Sequence, residues 1–388
     1  MNKIEKLIAE LCPEGVEWKE LREVAYIGTG SSNGNEATEN GKYPLFVRSK
    51  IVKRIDTYEF DEEAIVIPGE GGIGDIFHYI NGKYALHQRA YRIHLLSDEI
   101  STKFVCYYMM SNFKKFILQK AVNATVSSIR KPMIEKFPIP FPPLPIQQEI
   151  VTILDKFTSL EAELEAELEA RTRQYDFYRN QLLSFDNSNV EWRTLGEVGE
   201  FIRGKRFVKD DITSEGVPCI HYGELYTHYK IWTREAKSYL EPTLASRLRV
   251  AKPGDVIIVT AGETIEDIGN AVAWLGESDV VIHDACFAFS HNMNPKYVSY
   301  FLRTNLFRSQ IKKHISSGKI SSVHSSGLSK AKISVPSLTE QERIVTILDK
   351  FDRLVNDISE GLPAEIKARR KQYEYYREKL LTFNNVNN

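Results

Sequence analysis

The chain contains few cysteines, four in 388 residues, and no long apolar run. The cysteines lie too far apart for a C-x-x-C pair, so we expect buried free thiols rather than a zinc site or a disulfide framework. No apolar stretch approaches the roughly 20 residues that cross a bilayer. Residues 1–18 mix charges into their apolar stretch and lack the apolar block of a secretory signal. These absences predict a cytoplasmic protein.

An excess of positive charge is missing as well. Lysine and arginine number 51 against 52 aspartates and glutamates, which gives a net charge of −1. Because domains that bind nucleic acid through bulk charge are usually basic, any contact with DNA must depend on local patches or on a partner chain. The length favours two or more domains, and the 42% hydrophobic content is ordinary for a globular protein.

Motifs for catalysis are also scarce. The sequence has no G-x-x-x-x-G-K-[ST] phosphate loop and no N/D-P-P-[YF] methyltransferase motif. The E-x-K strings at 17–19 and 365–367 lack a convincing acidic partner upstream, and the nine histidines show no paired spacing typical of metal ligands. We therefore expect no catalytic residue and no metal in this chain.

One glycine-rich segment, Gly69–Gly74, formally fits the G-x-G-x-x-G pattern of a dinucleotide or AdoMet loop. Such a loop needs a helix to follow, whereas Asp75–Tyr79 has the pattern of a strand. The chain contains a second copy of this region, and the matching residues 261–263 lack the pattern. The segment therefore predicts a tight turn between two strands.

Internal repetition is what the sequence has in abundance. The octapeptide IVTILDKF occurs unchanged at 150–157 and at 344–351, an offset of 194. Its upstream flank 141–149 matches 335–343. The downstream match has an offset of 198 and joins RQYDFYRNQLLSF, 173–185, to KQYEYYREKLLTF, 371–383. Self-similarity on this scale indicates one duplicated ancestral unit.

Weaker matches extend both copies toward their N-terminal ends. VEWKELREVA at 16–25 resembles VEWRTLGEVG at 190–199, an offset of 174. Further along, Ile65–Ile67 aligns with Ile257–Val259 at an offset of 192, and His87 aligns with His283 at 196. The second copy therefore carries about 18 extra residues, most of them early in the copy.

The repeat divides the chain into four segments. Residues 1–145 and 187–337 are predicted to form two α/β domains, whereas 146–186 and 338–388 are predicted to be long helices. Buried strands are expected at Glu63–Ile67 and Asp255–Val259. The amphipathic segments 102–113 and 294–307 indicate helices.

The long helices carry apolar residues at alternating spacings of three and four, which is typical of a coiled coil. In the first copy this seam consists of Ile150, Leu154, Phe157, Leu164, Leu168, Tyr175, Tyr178 and Leu182. The second copy has four extra residues around Gly361-Leu362-Pro363, which predict a stutter or a fresh helix start. One helix cannot bury its stripe alone, so we expect it to pack antiparallel against its copy across a pseudo-twofold axis. A generic dimerisation coil is the alternative for the helices. The fold class is then α+β, two α/β domains separated by an antiparallel two-helix coiled coil.

Loops at matching positions differ between the copies while their flanks agree, as expected of two domains that read different half-sites. Polar and basic side chains read base edges and fix the register on phosphates, and glycine permits close backbone approach. The candidates in the first copy are Thr29, Ser31, Asn33, Arg48, Lys50, Gly71, Gly72, His87, Arg89, Ser127, Ser128, Arg130 and Lys131. Those in the second copy are Arg203, Lys205, Arg206, His221, Tyr222, Gly262, Thr264, His283, Lys319, Ser321, Ser322 and His324.

The motifs of the helical segments carry a family resemblance. A P-P-L-x-x-Q-x-E-I motif spans Pro142–Ile150, and its second version at Pro336–Ile344 has Ser337 in place of a proline. With ILDKF in both copies, GLPAEIKARRKQY at 361–373 and the KQYEYYREKLLTF ending, the chain resembles the specificity subunit of type I restriction-modification systems over nearly its whole length.

The resemblance implies that each α/β domain is a target recognition domain reading one half of a bipartite site in double-stranded DNA. It implies that the helices set the spacer and dock two modification subunits, which carry AdoMet and methylate adenine. Restriction subunits would add ATP- and Mg-dependent translocation and cleavage, so this chain would hold no cofactor and would not be an enzyme. Two alternatives remain open at this point: a solitary DNA-binding protein without enzyme partners, and a cytoplasmic coiled-coil scaffold whose end domains bind proteins.

Overall fold

The computed structural model describes residues 3–120, 128–185, 190–262, 264–316, 318 and 320–386. It divides into two compact units. The first unit consists of Met1–Glu165 and Ile366–Asn388, and the second unit of Ala166–Glu365. Each unit therefore contains one α/β domain together with parts of the helical segments from both copies.

The first copy contains five helices and eight strands within its described residues. Its helices are α1 (Lys3–Leu11), α2 (Leu21–Val24), α3 (Thr102–Lys120), α4 (Lys131–Glu135) and α5 (Leu144–Ser184). Its strands are β1 (Glu17–Glu20), β2 (Ala25–Thr29), β3 (Tyr43–Phe46), β4 (Lys53–Ile55), β5 (Phe60–Pro68), β6 (His78–Leu86), β7 (Ala90–Leu95) and β8 (Pro138–Phe141).

The second copy has more and shorter elements. Its helices are α6 (Leu195–Val198), α7 (Glu224–Thr227), α8 (Pro242–Ala245), α9 (Pro295–Phe301), α10 (Asn305–Lys312), α11 (Ser325–Leu328), α12 (Leu338–Asn356) and α13 (Leu362–Leu380), with a 3-10 turn at Lys209–Asp211. Its strands are β9 (Trp192–Thr194), β10 (Gly199–Arg203), β11 (Ile212–Thr213), β12 (Val217–Ile220), β13 (Trp232–Thr233), β14 (Ser238–Leu240), β15 (Val250–Ala251), β16 (Val256–Val259), β17 (Ala261–Gly262), β18 (Ala271–Trp274), β19 (Val280–Ile282), β20 (Cys286–His291), β21 (Ile315–Ser316), β22 (Ser321–Val323) and β23 (Lys332–Ser334).

Strand order confirms that the two domains share one fold. The first unit has a sheet of order β2-β7-β5-β6-β3-β4, and the second unit repeats its first four strands as β10-β20-β16-β18. The parallel pair β3–β6 recurs as β12–β19, since β6 of the first unit is replaced by two shorter strands, β18 and β19. A small antiparallel pair, β1–β8 or β9–β23, closes each domain onto its long helix.

Register corrects the alignment of one strand pair. Ile65 pairs with Ile93 in the first unit, and its counterpart opposite Phe289 is Val256 rather than Ile257. The true offset of this strand is 191, because a slip of one residue would turn its side chains to the opposite face. The core agrees, since Ile65 packs in the cluster beneath α3 and Val256 in the equivalent cluster beneath α9.

Several predicted elements differ from the observed ones in their bounds. The strand expected at Asp75–Tyr79 begins only at His78, after a turn. The helix expected at 294–307 is two helices. The first ends at Phe301, and Thr304 caps the second, because its hydroxyl accepts a hydrogen bond from the Phe307 amide. The segment Gly69–Gly74 is the predicted turn between antiparallel strands β5 and β6, and no helix follows it.

The C-terminal helical segment is broken at the predicted place. Helix α12 ends at Asn356 and α13 begins at Leu362, one residue after Gly361. A Cβ at Gly361 would lie 2.5 Å from the Arg353 carbonyl oxygen and 2.7 Å from that of Asp357. Only glycine fits this close approach, which explains why residue 361, at the break, is glycine.

Antiparallel helix packing is present inside each unit. In the first unit the Phe157 ring of α5 stacks on Tyr376 of α13 at 5.6 Å, while Glu161 and Glu165, further along α5, pair with Arg370, further back on α13. In the second unit Phe351 of α12 stacks on Tyr178 of α5 at 5.4 Å and on Tyr175 at 6.4 Å. The two phenylalanines belong to the repeated ILDKF, so the same contact recurs in each copy.

The repeated motifs also join each domain to its long helix. The buried Gln147 amide accepts a hydrogen bond from the Ser101 backbone N–H at 2.8 Å and donates to the Pro142 carbonyl at 2.7 Å. Gln341 makes the equivalent hydrogen bonds: it accepts from the Asn294 N–H and donates to the Pro336 carbonyl, both at 2.8 Å. These contacts explain the glutamine of the P-P-L-x-x-Q-x-E-I motif.

The aspartate of ILDKF has the second joining role. Asp155 accepts hydrogen bonds from the Lys103 ammonium and the Tyr107 hydroxyl of α3, both at 2.7 Å. Asp349 does the same with Lys296 and the Tyr300 hydroxyl of α9, again at 2.7 Å. Both copies therefore fix the domain on the helix through one carboxylate.

All four cysteines are free, as the sequence predicted. Cys106, Cys219 and Cys286 are buried and Cys12 is half-buried. Burial raises the pKa of the Cys106 and Cys219 thiols to about 12, so these side chains act as small apolar groups in the core.

Candidate nucleic-acid interface

A cavity of about 490 Å³ opens in the first unit beside the glycine turn that follows β5. It is lined by Gly34, Val47, Arg48, Ser49, Lys53, Glu70, Gly71 and His87. Three hydrogen bonds fix the backbone around it: His87 N–H to the Phe46 carbonyl, Gly69 N–H to the Arg89 carbonyl, and Ile129 N–H to the Gly69 carbonyl, each 2.9 Å long.

The second unit builds a cavity on the same backbone. His283 N–H donates to the Ile220 carbonyl, Thr260 N–H to that of Ala285, and Val323 N–H to that of Thr260. This cavity measures about 890 Å³. It is lined by Arg203, Arg206, Phe207, Val208, Lys209, His221, Tyr222, Ala261, Gly262, His283, Asp284, Ala285 and Ile320.

A glycine near the entry of each domain is required by the same packing. A Cβ on Gly30 would lie 1.9 Å from the Leu86 carbonyl oxygen, and one on Gly204 would lie 2.1 Å from that of His283. These two residues are 174 apart, the offset found for the first strand of each copy. The loop that each glycine begins is thereby held against the loop that carries His87 or His283.

The two histidines occupy the same turn. The Nδ1 atom of His87 accepts a hydrogen bond from the Arg89 backbone N–H at 3.0 Å, and Nδ1 of His283 accepts from the Ala285 N–H at 3.1 Å. Because Nδ1 of His87 faces a donor, its neutral ring carries the proton on Nε2. The His87 ring is thus a hydrogen-bond donor at the wall of its cavity.

Burial keeps these imidazoles neutral. It is the largest cause that lowers the pKa of His87, followed by the charges of Arg48 and Arg89. Burial likewise lowers the pKa of His283 most, and the neighbouring His221 lowers it further. Nδ1 of His283 lies 3.1 Å from Oδ1 of Asp284. Because the imidazole is neutral near neutral pH, this contact is not an ion pair there.

The walls of the two cavities differ in chemistry. In the first unit, Glu70 Oε2 accepts hydrogen bonds from Nη1 of Arg48 at 2.9 Å and Nη1 of Arg89 at 3.2 Å. The hydrogen bond with Arg89 is the main cause that lowers the Glu70 pKa. In the second unit the wall is a cluster of rings, with His221 4.5 Å from Tyr222 and 4.6 Å from His283.

The structure brings together some of the sequence-predicted residues. Arg48, Gly71 and His87 line the first cavity, and Glu70 links Arg89 and Ser128 to it, through the ion pair and a backbone bridge. The lining of the second cavity includes six of the predicted residues. They are Arg203, Arg206, His221, Tyr222, Gly262 and His283. Ser321 and Ser322 pair with the Ala261–Gly262 strand next to this cavity.

Other predicted residues are placed elsewhere. Lys131 lies over the Tyr26 ring, Lys205 donates to the Arg247 carbonyl, and Thr264 donates to Asp267. Among the described residues, those predicted ones that do not line either cavity also include Thr29, Ser31, Asn33, Lys50, Gly72, Arg130 and His324. Ser127 and Lys319 lie outside the described residues.

Sequence reasoning missed Glu70, Phe207 and Asp284. Glu70 is the one charged residue inside the glycine turn Gly69–Gly74, and this isolation was a signal that could have found it. Phe207 gave no such signal, because its ring reaches His283, at 5.1 Å, only in the folded domain.

Within the described residues, no group of three or more His, Cys, Asp or Glu side chains could hold a metal ion. Nor does any helix in that part of the chain combine the length and the apolar character that a bilayer span requires.

Duplicated domains with cavities of different chemistry, joined by paired helices, match a known family. The model of the type I restriction modification DNA specificity domain matches residues 13–170 and again 187–368. The chain belongs to this family of specificity subunits. The predictions of fold class and of a DNA specificity subunit are thereby confirmed.

Named relatives agree with this assignment. The chain is 38% identical to the type I restriction enzyme EcoR124I/EcoR124II specificity subunit of Escherichia coli over 263 residues, 64% of this chain and 63% of that protein. It is 30% identical to a putative type I specificity subunit of Haemophilus influenzae over 392 residues, 95% of this chain and 96% of that protein.

Solved structures share the fold. The type I restriction-modification S subunit from M. genitalium matches with a TM-score of 0.57 and 18% identity, over 95% of this chain and 96% of that one. A chain from a structural study of complex assembly and conformational transition in the type I R-M system matches with a TM-score of 0.63 and 14% identity, over 96% and 98%.

Proposed function

We propose that each unit reads one half of a bipartite site in double-stranded DNA, with the two cavities as the reading surfaces. The observation that carries this proposal is that the two cavities share one backbone arrangement but differ in the side chains that line them. His87 and His283 keep the same turn, whereas Arg48 and Glu70 of the first cavity are replaced by Tyr222 and Ala261 of the second. A scaffold that binds one partner twice would keep its walls alike.

Local charge supports DNA as the ligand in spite of the net charge of −1. Basic side chains outnumber acidic ones in both linings: Arg48 and Lys53 against Glu70, and three basic residues against Asp284. The phosphate backbone supplies much of the affinity of DNA-binding proteins through such side chains. The remaining phosphate contacts would come from partner chains.

The helices set the spacer between the half-sites. Helix α5 runs without a break through 41 residues, about 62 Å at 1.5 Å per residue. It packs against α13 in the first unit and against α12 in the second through the repeated phenylalanines and tyrosines. A continuous helix of fixed length is suited to fix how many base pairs separate two reading surfaces.

The helices also dock two modification subunits at equivalent positions. Phe177 of α5 and Tyr375 of α13 are 61% and 62% exposed, and they occupy the same position of the two copies, 198 residues apart. Exposed aromatic side chains are typical anchors of protein interfaces. One such anchor in each copy accounts for two identical partners.

Catalysis lies on those partners. The modification subunits bind AdoMet and methylate adenine, and restriction subunits use ATP and Mg for translocation and cleavage. This chain holds none of these cofactors and acts as the non-catalytic specificity subunit.

The experiment combines co-purification with methylome sequencing. The chain is expected to form a stable complex with a methyltransferase chain that carries an N-P-P-F-type motif, and host DNA is expected to show one methylated bipartite motif. Exchange of residues 19–144 for another such domain should change one half-site only. Loss of both half-sites would contradict independent reading, and a complex that protects no specific DNA would favour the scaffold.

A further inference from the structure

The first cavity has one acidic residue, Glu70, in its lining. Glu70 is exposed at the rim, so a structural ion pair there contributes little to stability. Yet one oxygen of its carboxylate, Oε2, accepts from both Arg48 and Arg89. Two like-charged guanidinium groups are thereby held side by side at the mouth of a cavity of about 490 Å³.

Both arginines keep most of their donors. Each gives one Nη1–H to Glu70, and within the described part of the chain neither guanidinium makes another hydrogen bond. A guanidinium is planar and carries five N–H donors in a fixed fork, with no acceptor. Both forks therefore remain available for a ligand that presents paired acceptors.

Guanine is the base with that pattern. Its major-groove edge offers the N7 and O6 acceptors together, whereas adenine places an N6 donor beside its N7 acceptor, and cytosine offers a donor. A donor-only group that is held in place discriminates against both. Next to the arginines, Gly71 adopts a φ of +68° with nothing within 4 Å of its Cβ position, which leaves room for a base edge to approach the turn.

The second unit has uncharged residues at the positions of Arg48, Glu70 and Arg89. By the strand registers, Arg48, Glu70 and Arg89 correspond to Tyr222, Ala261 and Ala285. All three charges are absent there, on a backbone with the same hydrogen bonds. The fold therefore does not need the charged group, and its presence in the first unit points to ligand recognition.

We propose that Glu70 is a specificity-determining residue, which positions Arg48 and Arg89 to read guanine in the half-site of the first unit. This inference rests on the proposed function and adds the base class. Glu70 itself is a positioning residue, and the arginines make the contacts. Removal of its carboxylate frees the two guanidinium groups to separate, because they then repel each other without a shared partner.

The test uses the complex of this chain with its modification subunits. Methylome sequencing gives the motif of the wild type, and exchange of residues 19–144 identifies the half-site of the first unit. Binding is then measured by fluorescence anisotropy with duplexes that carry guanine or 7-deazaguanine, which lacks the N7 acceptor, at each guanine of that half-site. For the wild type we expect a roughly 5- to 150-fold loss of affinity at one or two positions.

The variants are Glu70→Gln and the matched control Glu39→Gln, which removes an exposed carboxylate from the same domain. Glu70→Gln is expected to reduce the ratio of the affinities for the guanine and 7-deazaguanine duplexes to below about 3-fold at those positions. The methylated motif should also become less specific there, with the second half-site unchanged. Glu39→Gln should keep the wild-type ratio. The ratio is decisive because loss of a negative charge raises affinity for both duplexes equally.

Distinct outcomes overturn the inference and the proposed function. A half-site without guanine, or an unchanged 7-deazaguanine ratio in Glu70→Gln, overturns the role of Glu70 and leaves two-part reading intact. A complex that neither methylates a bipartite motif nor binds any duplex specifically overturns both.

Discussion

Substitution of Gln147 by alanine tests the joint between the first domain and its long helix. The amide is fully buried, accepts from the Ser101 N–H at 2.8 Å, and donates to the Pro142 and Glu99 carbonyls at 2.7 and 3.0 Å. Alanine leaves one backbone donor and two acceptors without their partner. Each unsatisfied buried group costs about 1–3 kcal/mol, and relaxation or entry of water recovers part of it.

We therefore expect Gln147→Ala to reduce the free energy of unfolding by about 3 kcal/mol. For a unit of this size, that loss lowers the melting temperature by roughly 6–12 °C. Calorimetry measures the shift, and hydrogen exchange should show faster exchange at 99–105 and 142–154 than in the wild type. Gln148→Ala is the matched control, because Gln148 is the adjacent residue of the same type and is exposed. The reasoning fails if the two variants are equally stable, or if the added exchange occurs mainly in the second unit.

Three further predictions concern the helices, a buried imidazole and a close approach. Addition of four residues, just over one turn, to the middle of α5 should change the preferred spacer and leave both half-sites intact, as read by methylome sequencing; a constant spacer with a changed half-site would refute this. Burial lowers the pKa of His291 to about 4. The unfolded chain therefore takes up this proton first, and stability falls by about 1.4 kcal/mol per pH unit as the pH drops from 6.5 toward 4. His291→Gln should flatten the dependence of unfolding on pH in that window, and an unchanged slope would contradict it. Gly30→Ala should destabilise the first unit strongly, because the Cβ would lie 1.9 Å from the Leu86 carbonyl oxygen. Gly34→Ala is the control, since the nearest atom to its Cβ, Nζ of Lys53, lies at 3.7 Å, an ordinary contact distance. Equal stability of the two variants in denaturant titrations would count against the packing argument.

The duplication and the helical segments could be predicted from the sequence because both depend on local patterns. Identical strings such as IVTILDKF need no tertiary information to be found, and Gly361 followed by Pro363 is a local signal of a helix break. The prediction of α5 was in error by two residues at each end, 146–186 against Leu144–Ser184. Errors of this size are usual where helix ends are set by caps.

The offset of strand β5 could not be obtained in this way. Apolar residues occupy every position from Ala64 to Ile67 and from Val256 to Val259, so both alignments look equally good. Only the pairing of Ile65 with Ile93, and of Val256 with Phe289, decides which side chains face the helix. A strand buried on both faces has lost the alternation that fixes register in the sequence.

The candidate site was predictable as a set of loops but not as a surface. Thr29, Lys50 and Arg130 carry the right chemistry and lie in matching segments, yet the folded chain does not place them in the cavity lining. Glu70 was overlooked because an acidic residue is not expected to face DNA. Its role depends on two arginines that are 22 and 19 residues away in sequence, and only the fold brings them together.

Identity and difference between the copies thus have separate physical causes. The identical residues fix each domain to its helix: Gln147 and Gln341 satisfy buried backbone groups, and Asp155 and Asp349 bind a lysine and a tyrosine. The two glutamines are buried, so a changed side chain at either position would leave buried backbone groups unsatisfied. The cavity walls have no such constraint, because the backbone around them is held by glycine and by backbone hydrogen bonds. Wall residues can therefore change without loss of the fold, which is the condition for one duplicated domain to acquire two different base preferences.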